Sequence, residues 1–258
     1  MASLSSIVAH DTKNGIFKNN TIPLFFNKNY EGGEKVFKLT TPSKKDYIKK
    51  TPSLSLIVAH DIKNGISKNN TIPWFFNKNY KKDKEFFKLI TLSKKDNNKK
   101  NALVYGKNTF TEMKKPLEGR ENYVISQSLY DKLDKNFIIP KSPCDKFHKD
   151  YDPMFSSFLD VFLTYENLIV RDNFMNTVKC LLNNDKIENI FICGGSNIYL
   201  EAIRNNLPID NYYVTLIKQD FDCDNILHLE IIDHFNSLKL DHYVEQNEYL
   251  DIKVLRKE

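Results

Sequence analysis

Long apolar runs are missing from this chain of 258 residues. No stretch approaches the ~20 consecutive apolar residues of a membrane-spanning helix, and the N-terminus lacks the hydrophobic segment of a secretory signal. Cysteine is scarce. Cys144, Cys180, Cys193 and Cys223 are the four, and no pair stands at C-x-x-C or metal-ligand spacing. That pattern predicts free thiols in a reducing compartment and no metal centre. A strong charge of either sign is missing too. The net charge of +5 is small for this length, whereas a nucleic-acid binder would show a clustered basic stripe. Mixed Lys and Asn runs such as Asp96-Asn97-Asn98-Lys99-Lys100 are expected as solvated loops. The dinucleotide fingerprint G-x-G-x-x-G is absent. Together these absences predict a soluble, cytoplasmic protein that engages neither nucleic acid nor membrane.

What is present is enough apolar material for a core. Hydrophobic residues make up 41%, which suits one large domain or a domain with a sizeable extension. The chain also repeats itself. With residues 3–50 laid on 53–100, 34 of 48 pairs are identical. Two near-identical copies indicate a recent partial duplication and not a solenoid array. A strand, a loop and one helix cannot bury their apolar faces alone. One copy therefore belongs to the main domain, and the other, residues 1–52, is expected as an appendage, loosely packed or poorly ordered.

The second copy reads as a buried strand (Leu54 to Ala59), a polar loop with Gly65, a Pro73-Trp74 step, and a helix starting near Asp83. Apolar Ala102 to Tyr105 ends at Gly106 and predicts a strand, and Lys107-Asn108-Thr109 opens a helical turn at Phe110. Pro116 to Arg120 is a turn by its Pro and Gly content, and Tyr123 to Ile125 is a strand. Residues 131 to about 160 carry Pro140, Pro143 and Pro153 without periodicity and read as an inserted surface loop. Val161 to Tyr165 or Leu168 to Val170 supplies another strand. Asp172 is an expected N-cap for a helix with Phe174, Val178, Leu181 and Leu182 at helical spacing. Asn189 to Cys193 is a buried-type strand leading through Gly194-Gly195 into a helix. Tyr212 to Ile217 is a strand, and Leu238 to Arg256 is a hairpin turning near Asn247. Strands alternating with helices, closed by an antiparallel hairpin, predict an α/β fold with a mostly parallel sheet.

Two features carry chemistry. Paired glycines between strand and helix let backbone approach a phosphate, and the helix N-terminus supplies N–H donors; a tight structural turn would use the same pair. Asp83 precedes Phe86, Phe87 and Ile90 by three, four and seven residues. On a helix this sets the carboxylate on the aromatic face, partly out of water, where its pKa rises and it suits hydrogen bonding to a heterocycle or assisting protonation. A carboxylate that merely stabilises the helix dipole would look similar.

The ordered set Ile57-Val58-Ala59, Gly65-Ile66, Ile72-Pro73-Trp74, Asp83 with Phe87 and Thr91, Gly106 to Thr109, Pro116 to Arg120, Ile192 with Gly194-Gly195 and Tyr199, and Val214-Thr215 before Asp220 to Asp224 resembles the dihydrofolate reductase family. The resemblance covers 53–258 apart from the loop about 131–160. It implies one α/β domain around a mixed, mostly parallel eight-stranded sheet. It also implies NADPH-dependent reduction of 7,8-dihydrofolate to tetrahydrofolate, with hydride passing to C6 and a proton to N5. Asp83 would hold the pterin, and Thr215 would orient the acid. Ile57, Val58, Phe87, Met113, Leu117, Ile192 and Tyr199 would line the substrate pocket. Arg120 would bind the carboxylate of the glutamate tail, where a planar fork suits better than Lys. Ala59, Ile66 and Trp74 would contact the nicotinamide side, with residues 60–74 as a closing loop. Lys107, Asn108, Thr109 and Ser126 would hold the adenosine phosphates, and Gly194, Gly195, Ser196, Asn197 and Ile198 the pyrophosphate.

Departures from the family pattern are Ser67 beside the nicotinamide site, Lys84 after the acid, and Gln127 where a basic residue commonly meets the 2′-phosphate. Glu85 replaces Asp83 as the acid only if the helix register shifts. Alternatives on the same fold are a pyrimidine reductase of riboflavin synthesis and a catalytically weak folate-binding module. A monomer is expected unless the chain is fused to or associated with thymidylate synthase. The first copy has Leu24 for Trp74 and Gly33 for Asp83, and the central strand position can hold only one copy. It is expected to be non-catalytic.

Overall fold

In a computed structural model of the chain, residues 25–31, 34–40, 51–94, 98–113, 115–134 and 165–258 are described. The chain divides into two compact units, Met1–Lys50 and Thr51–Glu258. In the first, β1 (Phe25–Glu31) pairs antiparallel with β2 (Glu34–Thr40). The rest of residues 1–52 up to 50 lies outside the described residues.

The second unit opens with β3 (Ser53–Asp61), β4 (Gly65–Ser67), a 3-10 turn (Lys78–Tyr80) and α1 (Lys81–Thr91). It continues with β5 (Lys100–Gly106), α2 (Lys107–Met113), β6 (Glu121–Ile125), α3 (Gln127–Asp134) and β7 (Leu168–Arg171). Then come α4 (Phe174–Leu182), β8 (Ile187–Ile192), α5 (Ser196–Arg204), β9 (Asn211–Ile217) and β10 (Asn225–Ile226). The unit closes with α6 (Leu229–Asn236), β11 (Lys239–Gln246) and β12 (Leu250–Arg256). No helix among the described residues is long and apolar enough to cross a membrane.

Eight strands form one sheet in the order β11-β12-β9-β3-β8-β5-β6-β7. β3 lies parallel to both β8 and β9, and β5, β6, β7 and β8 run parallel to their neighbours. Only the C-terminal hairpin is antiparallel, β12 against β9 and against β11. The fold class expected from the sequence is thus the one observed.

Side chains alternate across each strand, so the sheet carries two cores. Leu54, Leu56 and Val58 of β3 share one face with Ile190, Ile192, Tyr212 and Val214, packed under Val178, Ala202 and Ile231 of the covering helices. Ile57, Leu103, Tyr105, Val124 and Phe191 face the other way, toward Phe86, Phe87 and Ile90 of α1.

Three local expectations change. The N-cap of α4 is Asn173, not Asp172: its side chain accepts from the Asn176 N–H at 2.9 Å, the contact that defines the cap;. The surface insertion begins later than residue 131, because α3 runs to Asp134; 135–164 lie outside the described residues. Of the two strands offered, Leu168 to Val170 is confirmed in β7, and 161–164 are outside the described residues. α6 had no counterpart in the sequence reading.

Candidate active site

Asp83 sits in the first turn of α1, where the helix dipole favours a carboxylate;. Phe86, Phe87 and Ile90 turn one side of the helix to the sheet. Lysines cover the other side, with Lys81 and Glu85 paired at 2.8 Å. That pairing puts Glu85 on the outer face and removes it as an alternative acid. Lys84 lies over the Phe75 ring at 4.1 Å.

Thr215 of β9 and Trp74, both buried, converge on Asp83. Burial pushes the Asp83 carboxyl up to about 6, outweighing the Thr215 hydroxyl and the Trp74 indole, which pull it down. Asp83 retains some accessible surface, yet protein crowds it closely enough for desolvation to dominate. The Trp74 N–H makes no bond of good hydrogen-bond geometry. Its pull on the acid is that of a weak, poorly aligned hydrogen bond to the carboxylate.

Ile57, Phe87, Met113 and Leu117 come together with Phe86, Ile90, Cys193 and Tyr213 in a single apolar wall. Val58 and Ile192 do not join it. Strand alternation turns both side chains into the opposite core;. Cys193, one residue past β8, takes the position on the Asp83 side that the sequence reading gave to Ile192. The period-two alternation through Phe191 and Cys193 was the available signal. Burial drives the Cys193 thiol far up, so it serves as wall and not as nucleophile.

Arg120 is buried at the end of the 116–120 turn. One guanidinium nitrogen donates to the Lys88 carbonyl at 3.3 Å, while Nε has no partner. Burial lowers its pKa. Two asparagines fix this turn. Asn122 accepts from the Leu117 N–H at 3.0 Å and donates to the Leu117 and Arg120 carbonyls, and Asn167 donates to the same two carbonyls. Sequence reading missed both; a polar residue inside the Glu121–Ile125 strand was the visible hint.

The parallel strands β5, β6 and β8 bring Gly106, Ser126 and Gly194 to one edge of the sheet. The Gly106 N–H donates to the Gly194 carbonyl at 2.7 Å. Gly194 has φ +108°, and a Cβ there would stand 2.9 Å from the Tyr199 hydroxyl. Only glycine fits such a backbone. The Gly194–Gly195 peptide is cis, and a Cβ on Gly195 would meet Thr109 Oγ1 at 3.4 Å. Tyr199, fully enclosed, donates its hydroxyl to the Ile57 carbonyl at 2.7 Å and so ties α5 to β3. No side chain caps the start of α5 at Gly195, and backbone N–H groups at such a helix start suit an anion. Ile198 is buried behind them. Lys107 and Asn108 are exposed at the start of α2. Ser126 is brought to the same edge, though its hydroxyl accepts from the Leu129 N–H at 3.3 Å as a cap for α3. Gln127 donates to Asp131 within that helix.

The loop after β3 is held by Asp61, which accepts from the Lys63, Gly65 and Phe221 N–H groups. β4 pairs with β10. Ala59 packs on the Trp74 cluster, and Ile66 is partly buried. Ser67 is buried and accepts from Asn225 Nδ2 at 3.2 Å. It also hydrogen-bonds Glu112 of α2, whose carboxyl burial raises on balance. Glu112 is thus a second half-buried acid near the cleft, again unread in the sequence.

Known proteins bear on this geometry. Residues 53–150 match the dihydrofolate reductase family. A dihydrofolate reductase of Drosophila melanogaster is 30% identical over 129 residues, 49% of this chain and 54% of that protein. The chain therefore spans about half the length of the curated relative it matches. A solved dihydrofolate reductase from Enterococcus faecalis, in complex with NADP(H) and RAB-propyl, superposes with a TM-score of 0.51 at 23% identity. That match covers 80% of this chain and 96% of the other. The second unit has the dihydrofolate reductase fold.

Proposed function

We propose that the second unit reduces 7,8-dihydrofolate to tetrahydrofolate with NADPH. The observation that carries this is the Asp83 carboxyl. It is raised to about 6, flanked by Thr215 and Trp74, and shares one cleft wall with Ile57, Phe87 and Met113. A carboxyl with that pKa changes protonation state near neutrality, as an acid assisting N5 protonation must. In this reading it holds the pterin's N3 and 2-amino group through its two oxygens, and Thr215 orients it. The apolar wall, including Leu117 and Tyr213, excludes water from the pteridine. Arg120 Nε, buried without a partner, fits a tail carboxylate, which would complete its fork.

The cofactor edge also fits. Gly194 leaves no room for a side chain and Gly195 only a tight fit, and N–H groups without a side-chain cap at α5 suit a pyrophosphate;. Lys107, Asn108, Thr109, Ser126, Ser196, Asn197 and Ile198 surround that edge. Ala59, Ile66 and Trp74 flank the nicotinamide position. NADPH supplies the hydride when bound. The protein's own part is to hold C6 facing it, shield the site and manage the proton at N5.

Residues 53–258 form the catalytic domain in this reading, and 1–52 add no second site, since the first copy lacks the acid and the tryptophan. The test is loss of NADPH absorbance with dihydrofolate. Wild type turns over, and Asp83→Asn falls by roughly a hundredfold or more. A folded wild type that binds methotrexate but does not turn over would sink the enzymatic reading.

A further inference from the structure

A cleft of about 280 Å³ lies on the opposite face of the sheet from Asp83. It opens between α6 and the C-terminal hairpin. On β3, His60 alternates with Ala59, and on β9, Leu216 alternates with Thr215, so both point away from the Asp83 wall. Phe235 closes one side, and Leu240 and Tyr243 of the edge strand form the rim.

This cleft has polar groups without evident structural work. His60 is 91% buried, from a relative exposure of 9%. Its Nδ1 lies 2.9 Å from the Asp61 carbonyl. A carbonyl can only accept, so that nitrogen carries the proton. Nε2 is then left as an acceptor with no hydrogen-bond partner among the described residues, on a ring that lines the cleft. Burial lowers the His60 pKa, outweighing the Asp61 carbonyl and carboxylate, which raise it; Lys253 adds a smaller push down. Lys253, on β12, also lines the cleft and forms no salt bridge among the described residues, its ammonium resting 5.9 Å from the Tyr243 ring. A cation and a neutral acceptor therefore belong to the lining of a space whose walls are part polar and part apolar.

We propose that this cleft is a second binding site, separate from the folate cleft, for a small aromatic hydroxy acid. The apolar body fills the space against Phe235 and Leu216. The carboxylate meets Lys253, and a hydroxyl or N–H donates to His60 Nε2. The volume is roughly twice the ~150 Å³ that accepts benzene, which points to a two-ring body. The site does not depend on the reductase reading. Its position next to Asp61, which clamps the loop after β3, gives a route by which occupancy reaches Ala59 and that loop.

The test uses the full chain and 6-hydroxy-2-naphthoate, with 2-naphthoate and 2-naphthol as probes lacking one polar group each. Ligand-observed NMR and calorimetry read binding. The hydroxy acid is expected to bind best, methotrexate is expected not to displace it, and Lys253→Met is expected to weaken it by about tenfold or more. Leu240→Trp, which fills the rim from an exposed position, is expected to abolish binding while leaving the melting curve intact. His60→Gln probes the acceptor but is buried, so the two surface variants decide. No binding to the folded chain overturns the proposal. So does binding that Lys253→Met and Leu240→Trp leave unchanged, or binding that methotrexate displaces.

Discussion

Asp83 is under opposing demands. Its folded pKa of about 6 stands above the ordinary value of 3.8, so the folded state holds the proton more tightly. Folding stability is then greatest below the unfolded pKa and declines as pH rises from about 4 through about 6. At neutral pH the ionised acid costs up to about 3 kcal/mol, less the hydration that its exposed part retains;. Asp83→Asn should therefore raise the melting temperature at pH 7.5 and change it little at pH 4, while activity collapses. The same proton sets a second expectation. In wild type, kcat/KM should fall as pH rises through about 6, and the inflection should vanish in Asp83→Asn. Equal melting shifts at both pH values would mean that burial is not what perturbs this acid. Arg120 offers a separate reading at the same scale. Arg120→Lys should raise KM for dihydrofolate roughly tenfold with kcat nearly kept. A substrate without the glutamate tail should not distinguish the two proteins.

Elements place these side chains, and the glycine turn between β8 and α5 is the most exacting. Gly194→Ala sets a Cβ against the Tyr199 hydroxyl at a left-handed φ, a strain of about 1–3 kcal/mol. The Tyr199 bond to the Ile57 carbonyl should loosen with it. NADPH affinity measured by fluorescence titration should fall more than dihydrofolate affinity. Much of this architecture was legible beforehand. Runs such as Ala102 to Tyr105 and Asn189 to Cys193 are apolar and end in glycine, so their strands were found to within two or three residues. α6 escaped because Leu229, Ile231 and Phe235 span barely two turns, too short for a clear period. Asp172 and Asn173 are adjacent capping types, and only the bond to Asn176 separates them. For the site, Asp83, Thr215 and Arg120 were readable from spacing and likeness together. Cys193 and Glu112 were not: one depends on which face a strand end presents, the other on a contact between α2 and β4 across distant sequence.

At the scale of the whole molecule, one sequence adopts two structures. Phe-Phe-Asn-Lys-Asn-Tyr forms strand β1 at 25–30, whereas at 75–80 it forms turns and the 3-10 start that leads into α1. Context decides. The second copy continues into Lys81 to Glu85, which propagates a helix, and the first into Glu31-Gly32-Gly33-Glu34, whose paired glycines are poor helix formers;. Removing 1–52 should leave a single cooperative melt and nearly unchanged turnover. Loss of folding in that shortened chain would make the first unit part of the domain.

β3 sits between β8 and β9, strands that are synthesised more than a hundred residues later. The first copy carries the same strand sequence but for one residue, and during synthesis it would compete for that berth. One residue breaks the tie. Residues 3–11 and 53–61 differ only at Ser6 and Leu56, and Leu56 is fully buried between Ile192 and Tyr212. A serine there would forfeit roughly 2–5 kcal/mol of core packing and bury a hydroxyl. Ser6→Leu should therefore convert a harmless relic into a rival: refolding slows, a misthreaded population accumulates, and active yield drops, none of which should occur once residues 1–52 are removed. Refolding of Ser6→Leu at the wild-type rate and yield would mean that this side chain does not choose which copy enters the sheet.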